Sequence, residues 1–202
     1  MFNALGEDRV AWMHENLTPK EMFSGDAARL SQYQVIGGHF TFHEIYPLLG
    51  DDCKYVAVLR DPVPRAISAY SYLLRTPEHH MHKMVSRLSM LQSIRAVPFF
   101  RNEIENYQCS YLSEDGSRTF EAALASITAH DIHVTTLTRY ADMLEDVRQT
   151  LGLSGPIQET RENSAPANAH ALPEFSSPVL LAEIERLNVE DQKLYQHFEQ
   201  KS

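Results

Sequence analysis

The sequence predicts an α/β fold, helix-rich, with a mainly parallel sheet, and three observations carry that expectation. Tyr55-Val56-Ala57-Val58-Leu59 is apolar throughout and rich in β formers, the pattern of a parallel strand covered on both faces. Arg60-Asp61-Pro62 follows at once and the period changes: Val63, Ile67, Tyr70 and Leu74 recur at intervals of three and four, as on one face of a helix. The same transition returns later, where the apolar run Ile132 to Leu137 leads into Leu144, Val147 and Leu151 at helical intervals. Strands alternating with helices imply helices layered on a sheet.

Taken in order, residues 1–33 read as a helical lead-in. Ala11, Trp12 and Leu17 sit in one polar-rich segment, and Met22, Phe23, Ala27 and Leu30 are spaced helically after Pro19. Gln34-Val35-Ile36-Gly37-Gly38 is a short apolar run stopped by two glycines, a strand that lets another backbone or a ligand come close. A helix-like stretch from Thr41 to Leu49 precedes the strand at 55–59. Asp61 suits a helix cap and Pro62 the first turn, so strand, tight turn and helix are contiguous. Further helices are expected over His82 to Ile94, Phe99 to Leu112 and Thr119 to Ala129, then a strand over Ile132 to Leu137. The helix from Arg139 to about Leu151 is closed by Gly152. Gly152 to Pro173 reads as a long irregular segment, and Pro178 to Phe198 as a last amphipathic helix with Leu180, Ile184, Leu187, Leu194 and Phe198 inward. The expectation is one domain over 1–202: the lead-in, an α/β core at 34–151, and an irregular loop with a C-terminal helix at 152–202.

Composition narrows the function. With 43% hydrophobic and 22% charged residues, 8 Gly and 10 Pro, the chain is neither disordered nor low-complexity. Two cysteines, Cys53 and Cys109, are too few for a disulfide scaffold or a four-thiolate zinc site. They read as small buried residues and favour a cytoplasmic location. His79, His80 and His82 lack a carboxylate or Cys set to complete a metal site, and no metal is expected. No stretch approaches the roughly 20 apolar residues of a membrane helix, and the first residues lack the basic start and apolar run of a secretory signal. A net charge of -9 argues against a nucleic-acid partner, which needs clustered cations. The charge is uneven. From Arg60 to Arg101 seven basic residues face two acidic ones, a balance of +5 that leaves -14 for the rest. Any anion-binding surface is therefore expected in the first half.

Ligands of open α/β sheets gather beyond the carboxyl ends of strands, which singles out His39 and Arg60. Ser68 lies about two helical turns past Arg60, roughly 10 Å along the axis. A guanidinium fork and a hydroxyl at that spacing can grip one phosphate. A structural Arg-Asp pair with Ser68 on a solvated face gives the same spacing, and a lone His after a strand also serves structure.

The run from Tyr55 to Tyr72, with Arg60-Asp61-Pro62 and Ser68, resembles the 3′-phosphate-binding strand and helix of sulfotransferases that use PAPS, 3′-phosphoadenosine 5′-phosphosulfate. The likeness is to the branch that includes heparan-sulfate 2-O-sulfotransferases and their bacterial relatives. Gly37-Gly38-His39-Phe40, Pro98-Phe99-Phe100, Asn106-Tyr107-Gln108, Tyr111-Leu112 and Asn188 to Tyr195 extend it over about residues 35 to 198. The resemblance implies a P-loop-NTPase-like parallel sheet flanked by helices. It further implies PAPS as sulfuryl donor, a carbohydrate-type hydroxyl acceptor near the basic segment, Arg60 and Ser68 on the 3′-phosphate, and His39 as the base. Glu44 is a second base or an orienting partner, and Arg161 and Ser164 belong to a loop that closes over the nucleotide. One departure is plain. The family's first strand and its Pro-Lys-x-Gly-Thr-type loop for the 5′-phosphosulfate are expected to be missing, since Thr18-Pro19-Lys20-Glu21 brings a Lys without glycines. A relative that keeps the fold and part of the nucleotide site without catalysis is the alternative. Oligomeric state leaves no trace in the sequence.

Overall fold

The computed structural model describes residues 10–13, 33–155, 157 and 172–200. The fold is α/β and helix-rich, with two small parallel ladders. In the first, β1 (Val10–Met13) pairs with β2 (Val35–Gly38), Val10 opposite Val35. In the second, β3 (Val56–Leu59) pairs with β4 (His133–Thr136), Leu59 opposite Thr136.

Strand β1 overturns two expectations at once: a helix through Ala11 and Trp12, and the lack of any strand ahead of Val35. Val-Ala-Trp-Met is a four-residue apolar run, too short for its period to separate helix from strand. Val10 and Ala11 are buried, and the parallel partner β2 decides the matter. The expected helix over Lys20 to Leu30 lies outside the described residues.

Helix α1 (Phe42–Leu49) starts in a capping box in which Thr41 N–H and hydroxyl both donate to Glu44 Oε2, at 3.0 and 2.8 Å. Helix α2 (Pro62–Arg75) begins as its sequence demands, with Pro62 in the first turn and the Asp61 carboxylate accepting from Val63 N–H at 3.0 Å. Its buried stripe runs through Ala66, Tyr70 and Leu73, with Val63, Ile67 and Leu74 partly covered.

Three expected helices are each broken in two. The stretch from His82 becomes α3 (His82–Val85) and α4 (Met90–Ala96), because Ser89 and Gln92 build a fresh capping box. The next becomes α5 (Pro98–Ile104) and α6 (Tyr107–Leu112), divided at Asn106, which adopts the left-handed region at φ 43°. After α7 (Phe120–Ala129), β4 and α8 (Tyr140–Thr150), Gly152 takes φ 62° as the expected stop. The expected irregular segment ends in a 3-10 turn, Pro173–Ser176, whose Phe175 is buried. The last helix is α9 (Pro178–Leu187) and α10 (Val189–Gln200), divided at buried Asn188, whose Nδ2 donates to Ile184 O at 2.9 Å.

Two apolar clusters result. One is helical, holding Ala66, Tyr70, Val85, Ile94, Phe100, Leu180 and Ile184. The other joins the ladder of β3 and β4 to helices through Leu59, Cys109, Leu112, Ile127, Ile132 and Leu194, with Ile36 and Phe40 of the β2 end against it. Strand β3 is not covered on both faces as expected: Val56 is 44% exposed and only Leu59, at the far end, is fully covered, and β4 is its sole ladder partner among the described residues. Cys53, expected inside, is exposed, while Cys109 is buried. No helix among the described residues is long and apolar enough to cross a membrane.

Candidate functional site

Where β3 ends, the backbone loses its neighbour after Leu59 opposite Thr136. A single side chain takes over. Arg60 N–H donates to Gln108 Oε1 at 2.8 Å and Gln108 Nε2 donates to Arg60 O at 2.9 Å, so the carboxamide pairs with Arg60 as a strand would. Gln108 is buried and Arg60 exposed. Among the described residues the Arg60 guanidinium has no hydrogen bond or ion pair, which removes the structural Arg60–Asp61 pair.

Gln108 is itself held. Its backbone N–H and that of Cys109 donate to Asp191 Oδ2 and Oδ1, at 3.0 and 2.8 Å. Asp191 is fully buried in the first turn of α10. The N–H groups of Glu190 and Asp191 in turn donate to Asn106 Oδ1, at 3.0 and 3.2 Å. Thus α6 and α10 cap each other's N-termini, and orphan amides of both are satisfied.

Arg65, one turn into α2, lies against this latch. Its Nη1 and Nη2 donate to Glu103 O and Ile104 O at 3.2 and 3.0 Å, and its guanidinium stands 5.0 Å from the Tyr107 ring centroid. It caps the end of α5 instead of facing a ligand. Burial pulls its pKa below the ordinary arginine range, opposed by the nearby Asp191 carboxylate. Tyr107 and Tyr111 share a hydroxyl hydrogen bond of 2.8 Å, and burial raises the pKa of both. Sequence reading missed Arg65, Asn106, Gln108 and Asp191 as one cluster. The signal in the sequence was Asn106 itself, a residue type that favours caps and the left-handed region, inside an otherwise helical run.

The expected site residues fall as follows. His39 is exposed directly after Gly38, whose φ of 151° favours glycine, at the end of β2. Its neighbour Phe40 and Arg60's neighbour Leu59 pack in the same apolar cluster, so both strand ends rise from one base. Ser68 is half-buried on α2. Glu44 is committed to the α1 capping box. Arg161 and Ser164 lie outside the described residues. Tyr70 packs, its hydroxyl donating to Leu88 O at 2.6 Å, and Tyr72 meets the His79 ring edge-on at 6.0 Å. His79 and His82 serve the local chain: Met81 N–H donates to His79 Nδ1 at 3.2 Å, and His82 Nδ1 bonds Leu73 O at 2.8 Å.

The basic segment is not one surface. Arg65 caps α5, Arg101 pairs with Glu105 at 2.9 Å, and Arg75 Nε donates to Ser71 O at 3.1 Å. Lys83 and Arg87 line a shallow groove of about 580 Å³ with Pro77, His82 and Ser86. It sits past the C-terminal end of α2, whose 14 residues span about 21 Å. Arg60 and this groove are thus at opposite ends of one helix.

No family model matches the chain, and neither does any curated protein or solved structure.

Proposed function

We propose that the chain is a PAPS-dependent sulfotransferase acting on a hydroxyl of a carbohydrate-type acceptor, with a P-loop-NTPase-like sheet as its frame. The observation that carries this reading is Arg60: an exposed guanidinium without a side-chain partner among the described residues, on a backbone pinned by Gln108 at the carboxyl end of a parallel strand. An unpaired Arg fork on a fixed stem fits a phosphate ester. Ser68 follows on α2, whose Cβ bonds tilt toward its N-terminus and hence toward Arg60. Arg60 and Ser68 would hold the 3′-phosphate, and Arg161 and Ser164 would contribute from their loop. PAPS, when bound, supplies the activated sulfuryl group. His39 takes the proton of the acceptor hydroxyl, a task suited to an imidazole near neutral pH. Lys83 and Arg87 receive acidic groups of the acceptor some 20 Å away.

The second reading is a relative that binds the nucleotide without transferring sulfate. It is favoured by the sequence after β1, which has a Lys at Lys20 but no glycine between Met13 and Gly25. Calorimetry with adenosine 3′,5′-bisphosphate separates the readings from error. Micromolar binding by wild type and a loss of at least tenfold in Arg60→Ala support the pocket, and equal affinity removes it. Transfer of labelled sulfate from PAPS to a polysaccharide, abolished in His39→Ala with nucleotide affinity kept, distinguishes enzyme from binder.

A further inference from the structure

Resting on the nucleotide reading above, we infer that Gln108 is a positioning residue for Arg60 and that it couples occupancy of the anion site to the seating of the C-terminal helix α10. Arg60 is one residue beyond the ladder, and its guanidinium has no partner of its own among the described residues. The direction in which that arm leaves the sheet is therefore set by its backbone. Two bonds fix it, at 2.8 and 2.9 Å, and both come from one carboxamide 48 residues away. A local contact would leave the strand end free to move with its own turn. This one ties it to a different helix.

The tie continues inward. Gln108 occupies the first turn of α6, and the Asp191 carboxylate accepts from Gln108 N–H and Cys109 N–H. Asp191 cannot follow solvent, being fully buried, and its own helix start is held by Asn106. Withdrawing α10 would strip two amides of their acceptor, loosen the first turn of α6, and unseat the carboxamide on Arg60. By linkage, an anion that holds Arg60 in one direction strengthens the docking of α10 by the same factor by which docked α10 strengthens anion binding. Burial of Gln108 and Asp191 inside a satisfied network makes the connection stiff, since partly satisfied alternatives are costly.

The test is a double-mutant cycle on the full chain with adenosine 3′,5′-bisphosphate as probe, by calorimetry at a temperature where every variant is folded by circular dichroism. Gln108→Met keeps length and shape and removes both hydrogen bonds. It weakens binding about tenfold, because a misaimed arm loses its bidentate fit. Arg60→Ala and Arg60→Ala with Gln108→Met bind equally weakly, because Gln108 acts through Arg60. A merely structural role would instead give losses that add, or a lower melting temperature with unchanged affinity, and either result overturns the inference while leaving the pocket intact. If wild type does not bind the probe, the nucleotide reading falls and this inference with it. A second measurement needs no variant: in wild type, hydrogen exchange of the Gln108, Cys109, Glu190 and Asp191 amides slows about fivefold or more when the probe saturates the protein. Unchanged exchange at saturation refutes the coupling.

Discussion

Replacing Asp191 by Asn tests whether the latch between α6 and α10 is held by charge or by shape. The carboxylate accepts from Gln108 N–H at 3.0 Å and Cys109 N–H at 2.8 Å. An amide keeps one oxygen and turns an NH₂ toward the other donor, so one bond is lost and one buried N–H is stranded. Hydrogen bonds to charged groups contribute about 1.5–3 kcal/mol each. The change also removes the anion whose charge opposes the desolvation of Arg65 without forming an ion pair with it, an attraction of about 1–2 kcal/mol at this longer range. We expect Asp191→Asn to lower stability by about 3–4 kcal/mol, and by only about 2 kcal/mol in an Arg65→Met background, where no buried cation is left behind. Urea unfolding followed by far-ultraviolet circular dichroism reads both, the single change moving the midpoint by roughly 1.5–2 M at a typical slope of about 2 kcal/mol/M. Equal costs in the two backgrounds, within about 0.3 kcal/mol, refute the electrostatic account and leave only the hydrogen bonds.

Two further perturbations follow. Tyr70 is 1% exposed and burial raises its pKa to about 12, so its contribution is present below the unfolded value near 10 and is lost as pH rises toward 12. Tyr70→Phe is less stable than wild type by about 1 kcal/mol at pH 8, for the lost bond to Leu88 O, and more stable above about pH 11, where the wild type has lost about 1.4 kcal/mol; urea titrations without a crossing count against it. Lys83→Glu with Arg87→Glu weakens binding of a sulfated polysaccharide about thirtyfold, two lost surface contacts of about 1 kcal/mol each, with affinity for adenosine 3′,5′-bisphosphate unchanged; a parallel loss of both places the groove beside Arg60 and contradicts the helix length between them.

What the sequence made legible is what depends on neighbours in the chain. The Asp61-Pro62 start of α2 and the strand before it are written in consecutive residues, and so are the Thr119 cap of α7 and the glycine that ends α8. Strand β1 was not, because four apolar residues become a strand only when β2 lies alongside. The break at Asn106 was hidden for the same reason, since its role comes from the start of α10, whereas the other two rest on local signals that otherwise helical patterns masked: the Ser89–Gln92 capping box and the bond of Asn188 to Ile184 O. Gln108 reads as an ordinary polar residue in α6, and Asp191 as a cap for its own helix. Their partners are 48 and 83 residues distant, beyond the reach of any period.

The charge count illustrates the same limit with a functional consequence. Seven cations between Arg60 and Arg101 suggested one anion-binding surface, yet Arg65 and Arg75 are directed at backbone carbonyls and Arg101 at a neighbouring carboxylate. A carbonyl-bound arginine keeps its charge but has spent the donors that bond the carbonyl. Of the other cations, Arg60 stands at one end of α2, the pair Lys83 and Arg87 at the other, and Arg95 is exposed on α4. A ligand touching both ends of α2 must extend about 20 Å, so under the proposed sulfotransferase reading a polymeric acceptor suits the pair of sites better than a small alcohol does. On that geometry, shortening an acidic polysaccharide acceptor below this span should raise its KM toward the value of Lys83→Glu with Arg87→Glu while leaving the wild-type KM for nucleotide in place. A short acceptor that performs as well as a long one would detach the groove from the reaction.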